Sequence, residues 1–417
     1  LFYLLARRVL RPAPAVIAAC LFATSSFLIH FSRIGIGYNQ TILLTLAVMY
    51  GFVRGIQDQD ARWLSFAGFL SAVGFLSYQA SKILAPLIVL SLGMLWMTRS
   101  LSWRGFLKTL AAYFLAFWIG IAPMIGVYMT DFQAVISRAM SVTLLSPEGE
   151  ELFRRGHPPD LSNTQLIGIQ LERSLLAPIS FHDNSPYLSN LDNGGMLDAF
   201  PAIFFAAGVI LLLGTIFHPV SRLLIFWIAC ILFAGGALTD HAPSYQRLVG
   251  LPPFLFIAAA PILNGCLIRL SRLFAWMPPT RLHVTTSVLI VLLIFSMHRY
   301  FHQIMSKPQR LDEWTRVARY LHDAGPTQYT YFLGPPHVYF RYGTLRFLAP
   351  DAKGEDVLHP EPFVQNRIVR RGPTCFLLIR SNRQYIDELR RLYPGGREEN
   401  HFNQDEGAPF TTYVVNF

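Results

Sequence analysis

Three basic residues stand at the edges of apolar sequence. Arg33 follows His30-Phe31-Ser32 and opens the link Ile34-Gly35-Ile36-Gly37-Tyr38-Asn39-Gln40. Lys82 follows Ser77-Tyr78-Gln79-Ala80-Ser81 and precedes Ile83-Leu84-Ala85-Pro86. Arg247 closes Asp240-His241-Ala242-Pro243-Ser244-Tyr245-Gln246 and leads into an apolar run from Leu248. A charge beside hydrocarbon is costly, so such residues are kept for a partner or a task. Guanidinium and ammonium groups suit a phosphate, arginine through paired hydrogen bonds. The three are therefore candidates for an anion site at a membrane surface. Plainer readings stand beside this one. Arg33 can snorkel to the headgroups, Lys82 can sit in a bare interhelical turn, and Arg247 can pair with Asp240. Asp240 and His241 are adjacent, which makes a poor chelate, and no third metal ligand is evident.

The stretch 129–198 holds a second polar constellation, from Asp131 and Arg138 through Glu148, Glu150, Glu151, His157, Asp160, Glu172, Arg173, His182 and Asp183 to Asp192 and Asp198. A solvated loop explains most of these charges. Its apolar part, 161–179, reads as an interfacial helix. No GxSxG nucleophile motif occurs, and neither GxGxxG nor GxxxxGK[ST] is present.

The elements that must carry these residues are membrane spans. Of 417 residues, 53% are hydrophobic and only 14% charged, against about 25% charged in soluble domains. The mean hydropathy is +0.37. Disordered, coiled-coil and ordinary soluble classes are thereby excluded, and a polytopic helical membrane protein is expected. Apolar stretches of spanning length fall near 12–31, 38–56, 105–128, 199–217, 219–239, 248–268 and 283–300. The run 63–98 divides at the Tyr78–Lys82 patch into two short helices, 63–79 and 82–98. Residues 1–6 read as the tail of a further helix, so the chain is expected to lack its natural N-terminus. Residues 7–26 mimic a signal peptide, but the apolar segments behind them favour a span.

Alternating sides along these nine spans put Arg7, Arg8, Arg11, Arg54, Arg62, Arg99, Arg104, Lys108, Arg222, Arg269, Arg272 and Arg281 in one set of links. The opposite short links hold only Arg33, Lys82 and Arg247. The basic set is expected to be cytoplasmic. The loop 129–198 and the tail then lie outside. The net charge of +10 is therefore topology plus a basic tail, not a nucleic-acid footprint. In the tail, Leu311, Trp314, Val317, Ala318 and Leu321 recur at helical spacing. Strands are expected at Tyr329–Leu333, 375–379 and 410–417. A helix is expected around Tyr385, Ile386, Leu389 and Leu392, stopped by Pro394-Gly395-Gly396. This predicts a small α/β domain over 301–417 beside a membrane domain over 1–300. The cysteines Cys20, Cys230, Cys266 and Cys375 are scattered, without a disulfide or CxxC pattern.

In order along the chain, these landmarks resemble the family 39-like branch of the GT-C glycosyltransferases. That branch includes protein O-mannosyltransferases, the lipid A aminoarabinose transferase and transferases of lipopolysaccharide core sugars. The matching pieces are Leu4-Leu5-Ala6-Arg7-Arg8, Phe31-Ser32-Arg33-Ile34-Gly35, Ser77-Tyr78-Gln79-Ala80-Ser81-Lys82 and Ala122-Pro123. Further on come Arg173-Ser174-Leu175-Leu176, Asp183-Asn184-Ser185-Pro186, Leu197-Asp198 and Pro243-Ser244-Tyr245-Gln246-Arg247-Leu248-Val249-Gly250-Leu251-Pro252-Pro253. The resemblance covers about residues 1–300, and the tail looks like the extracytoplasmic domain of one bacterial subgroup.

The resemblance implies an inverting sugar transferase in the bacterial cytoplasmic membrane. Its donor is a sugar on a polyprenyl-phosphate carrier, and its acceptor hydroxyl belongs to an extracytoplasmic lipid, glycan or protein. Arg33, Lys82 and Arg247 would surround the carrier phosphate, with Tyr78, Tyr245 and Asp183 as neighbours of the substrate. In the family the catalytic carboxylate lies in the first outer loop, which would precede Leu1 here. No cofactor is implied, and a divalent metal is left open. Two other classes remain: a transporter or lipid-carrier flippase, against which no internal repeat is found, and a non-catalytic membrane scaffold.

Overall fold

A computed structural model describes residues 1–33, 38–130, 143, 154, 161–180, 195–239, 242–273, 280–304, 313–334, 339, 340, 342–365, 372–403 and 407–416. The chain divides into two compact units, Leu1–Lys307 and Pro308–Phe417.

The first unit is helical. All nine stretches of spanning length are helix over most of their length. Among the described residues, four helices are long and apolar enough to cross a membrane: Gln79–Met97, Trp103–Thr130, Pro219–Ala237 and Pro252–Arg272. A bent pair, Pro12–Thr24 and Ser26–Arg33, meets the same test as a unit, with a 49° bend. Ala61–Ser77 and Ala199–Gly214 are shorter apolar helices. Pro12 starts the bent pair at a position where a missing N–H costs nothing. Ser25 then turns extended, and its hydroxyl accepts the Leu28 N–H at 3.4 Å, which caps the second limb. Helices Ala61–Ser77 and Trp103–Ile121 pack at Gly68, where a Cβ would stand 2.1 Å from the Tyr113 carbonyl oxygen. Small residues at such crossings let backbones approach where apolar burial alone gives no drive.

The basic links expected on one side meet each other. Arg8 pairs with Asp58 at 2.6 Å, and Gln57 donates to the Arg8 carbonyl at 2.9 Å. The Arg8 hydrogen bond, helped by Arg54, holds the Asp58 carboxyl below its usual range. Arg222 reaches the Ser100 hydroxyl at 3.2 Å.

The second unit is an α/β domain with a five-stranded sheet in the order β2-β1-β3-β5-β4. The strands are β1 (Tyr329–Leu333), β2 (Lys353–Asp356), β3 (Pro373–Ile379), β4 (Arg397–Asn403) and β5 (Gly407–Asn416). β1 pairs in parallel with β2 and β3, and β5 pairs antiparallel with β3 and β4. Helices Glu313–Ala324 and Gly343–Leu348 cover one face through Val317, Leu321 and Leu345 on Phe332 and Leu377. Helices Pro360–Gln365 and Ile386–Leu392 cover the other through Val364 and Leu389 on Leu333 and Phe376. β2 and β4 were not read from the sequence. Both are edge strands with charged residues, so they lack the apolar alternation that marks a strand. All four cysteines are free thiols.

Candidate functional site

Each of the three cations sits where a helix is interrupted. Arg33 is the last residue of the Ser26–Arg33 helix and is exposed. Lys82 lies in the single 3₁₀ segment Gln79–Ile83 between helices Ala61–Ser77 and Leu84–Met97, and is half-buried. Arg247 lies in an irregular segment ahead of helix Pro252–Leu273 and is also half-buried.

A continuous run of rings joins the three segments. Tyr78 stands edge-on to Tyr38 at 5.1 Å, and Tyr38 to Phe31 at 5.3 Å. Phe31 lies 4.5 Å from Phe27, and Phe27 meets Tyr245 at 5.7 Å. Tyr78 is four residues from Lys82, Phe31 two from Arg33, and Tyr245 two from Arg247. Edge-to-face pairs at such spacing add directional attraction to plain burial. The Arg33 helix is thus packed between the other two cation-bearing segments. Tyr78 and Tyr245, expected beside the substrate, are the two ends of the run; Asp183 lies outside the described residues, as do Asp240 and His241.

Hydrogen bonds lock the arrangement. Thr41, one turn into helix Tyr38–Gln57, shares a 2.8 Å hydroxyl contact with Ser81, and both are buried. The Asp198 carboxylate accepts the Ser26 N–H at 3.2 Å, so a negative charge sits at the N-terminus of the helix that ends in Arg33. Gln170, fully buried on helix Asn163–Leu176, donates to the Thr239 carbonyl and accepts the Ala242 N–H at 3.1 Å. Its helix starts with a capping box, Ser162 with Gln165. Tyr245 donates to the Ala177 carbonyl at 3.4 Å.

Helix Pro219–Leu232 ends in a wide π turn, Phe233–Ala237. That turn approaches both the 79–83 segment and the Arg247 backbone. A Cβ on Gly235 would lie 2.9 Å from the Arg247 carbonyl oxygen, so only glycine lets the two backbones close this far. Wide turns of this kind recur at functional sites.

Among the described residues, no carboxylate pairs with Arg33 or Lys82. Their contacts are with rings. The Arg33 guanidinium carbon is 5.7 Å from the Tyr300 ring centre and 5.6 Å from that of Phe301. Lys82 Nζ is 5.2 Å from the Phe75 ring centre. Rings attract a cation without occupying its in-plane donors. Among the described residues, no group of three metal-ligating side chains occurs.

Sequence reasoning did not select Thr41, Gln170, Tyr300 or Phe301. A glutamine inside an apolar helix was the one available signal for Gln170. Within the stretch 161–179, expected as an interfacial helix, residues Asn163–Leu176 form a helix whose buried face touches the π turn 233–237.

Comparison with known proteins places this geometry. Residues 1–129 match the family model described as dolichyl-phosphate-mannose-protein mannosyltransferase. No curated protein matches. The structure is similar to ArnT from Cupriavidus metallidurans, solved bound to undecaprenyl phosphate. The TM-score is 0.56 at 13% identity, covering 99% of this chain and 81% of that one. It is also similar to the oligosaccharyltransferase AglB from Archaeoglobus fulgidus, solved with an inhibitory peptide and a dolichol-phosphate. There the TM-score is 0.46 at 14% identity, over 85% of this chain and 51% of that one. The chain thus spans about half the length of AglB. The chain is thus an integral membrane protein by its apolar helices, with a fold similar to that of ArnT and a match to the mannosyltransferase family model over its first 129 residues.

Proposed function

We propose that the protein transfers a sugar from a polyprenyl-phosphate carrier to an acceptor hydroxyl outside the cytoplasm, with inversion at the anomeric carbon. The observation that carries this reading is the run of rings that links the Arg33, Lys82 and Arg247 segments. The undecaprenyl phosphate of the ArnT structure supplies the ligand class.

In the transfer, the acceptor oxygen attacks the anomeric carbon as the bond from that carbon to the carrier phosphate breaks. The electron pair leaves with the phosphate, whose negative charge grows. Cations fixed in place before the reaction stabilise that charge without reorganising. Arg33, Lys82 and Arg247 take this role, and the two arginines can grip two phosphate oxygens each. The acceptor proton passes to a carboxylate. The loop 129–198 and the C-terminal unit then face the same side as the phosphate.

The test is Arg33→Ala, Lys82→Ala and Arg247→Ala in the full-length protein, assayed for transfer after checking membrane insertion. Each is expected to lower turnover by roughly a hundredfold or more, as for removal of one preorganised donor. Normal turnover in all three variants refutes the assignment.

A further inference from the structure

Tyr300 and Phe301 come from the far end of the first unit, in the π turn Arg299–Ile304 that follows helix Thr280–His298. In a regular helix, adjacent residues point about 100° apart and do not share a neighbour. Here both rings touch one guanidinium, that of Arg33. The two rings stand perpendicular, 5.1 Å apart, so they form a corner with two faces.

The corner is itself held. Tyr300 is 1% exposed, and its hydroxyl lies 3.5 Å from His30 Nδ1. His30 is one turn before Arg33 on the same helix, and its ring meets Tyr300 edge-on at 6.2 Å. The helix that ends in Arg33 is therefore fastened to this turn at two points. An arginine side chain at a helix end has many rotamers, and fixing it costs conformational entropy each time a ligand binds. A carboxylate partner would fix it too, but would compete with a phosphate for the same donors. A guanidinium has five N–H groups, so the ring faces and the Tyr300 hydroxyl beside it leave most of them for an anion.

Building on the proposed role of Arg33, we infer that Tyr300 and Phe301 are positioning residues for the carrier phosphate: a cation–π corner that preorganises the Arg33 guanidinium. The last helix of the membrane unit is thereby part of the donor site. Its sequence does not advertise this, since the contribution is made by two rings.

The experiment measures binding of undecaprenyl phosphate, with undecaprenol as the uncharged control, to the full-length protein in nanodiscs. Phe301 is 45% exposed, so Phe301→Ala leaves the packing intact. It is expected to weaken phosphate binding about threefold to fivefold, with undecaprenol binding unchanged. Phe301→Trp restores the affinity, and Tyr300→Phe, which keeps the ring, stays within about twofold. In an Arg33→Ala background, Phe301→Ala adds no further loss, because the two act as a unit. If Arg33→Ala weakens phosphate binding and Phe301→Ala does not, the corner is overturned and the phosphate role of Arg33 stands. If Arg33→Ala itself leaves phosphate binding unchanged, the phosphate assignment falls.

Discussion

Gln170 is fully buried, and both ends of its amide bond one backbone segment, 239–242, which leads to Arg247. An amide donates through its nitrogen and accepts through its oxygen at once. Gln170→Leu removes both bonds, from the Thr239 carbonyl and from the Ala242 N–H, in a fully buried place. The cost of an unmet buried group is about 1–3 kcal/mol. The variant is expected to unfold at a lower temperature in detergent and to bind undecaprenyl phosphate more weakly; unchanged values of both would remove Gln170 from the site's support. At this scale the three cations were legible in the sequence, because a charge beside hydrocarbon demands a reason. Gln170, Thr41 and the Tyr300–Phe301 pair were not. A polar or aromatic residue within a helix has many structural uses, and only the long-range pairing separates them.

Breaks in helices, rather than helices, present the candidate site. The 3₁₀ turn 79–83 carries Lys82, the π turn 233–237 packs on the Arg247 backbone, and the π turn 299–304 supplies the rings beside Arg33. The helices themselves were readable from apolar length, and the Tyr78–Lys82 interruption from its polarity. The π turns were not, because Phe233-Ala234-Gly235-Gly236-Ala237 and its later counterpart continue the apolar or helical pattern.

The edge strand β4 gives an element-level test in the second unit. His401 stacks on Phe410 at 4.3 Å, meets Tyr320 at 4.7 Å, and shares a 2.9 Å contact with Thr412. Burial lowers its pKa from the usual 6.5, against the opposing pull of Glu399. Below that unfolded value the unfolded chain takes up the proton first, so stability is full above about 6.5 and is lost as pH falls towards the folded value. Amide exchange over β4 and β5, corrected for its intrinsic pH dependence, is expected to rise as pH falls from about 7.5 to 5.5. His401→Gln flattens this rise. An identical rise in the variant shows that His401 is not its source.

At the scale of the molecule, the two kinds of link segregate. Arg8 meets Asp58 and Arg222 meets Ser100 among the basic links, while Arg33 and the Tyr78 and Tyr245 segments meet through rings at the other kind. The excess of positive charge on one set predicts an orientation. In a background without the four native cysteines, a thiol reagent that cannot cross membranes should label Asn163→Cys from outside and leave Arg272→Cys untouched; the reverse pattern inverts the topology. The α/β character of the tail was readable from buried strands and two amphipathic helices, and its polar edges were not. The central claim is that three distant cations make one phosphate site. It is tested most directly by undecaprenyl phosphate binding to Arg33→Ala, Lys82→Ala, Arg247→Ala and their pairwise combinations in the full-length protein. One shared site predicts that each single change weakens binding about tenfold or more and that paired losses are not additive. Independent, additive losses, or binding equal to that of the unaltered protein, would contradict it.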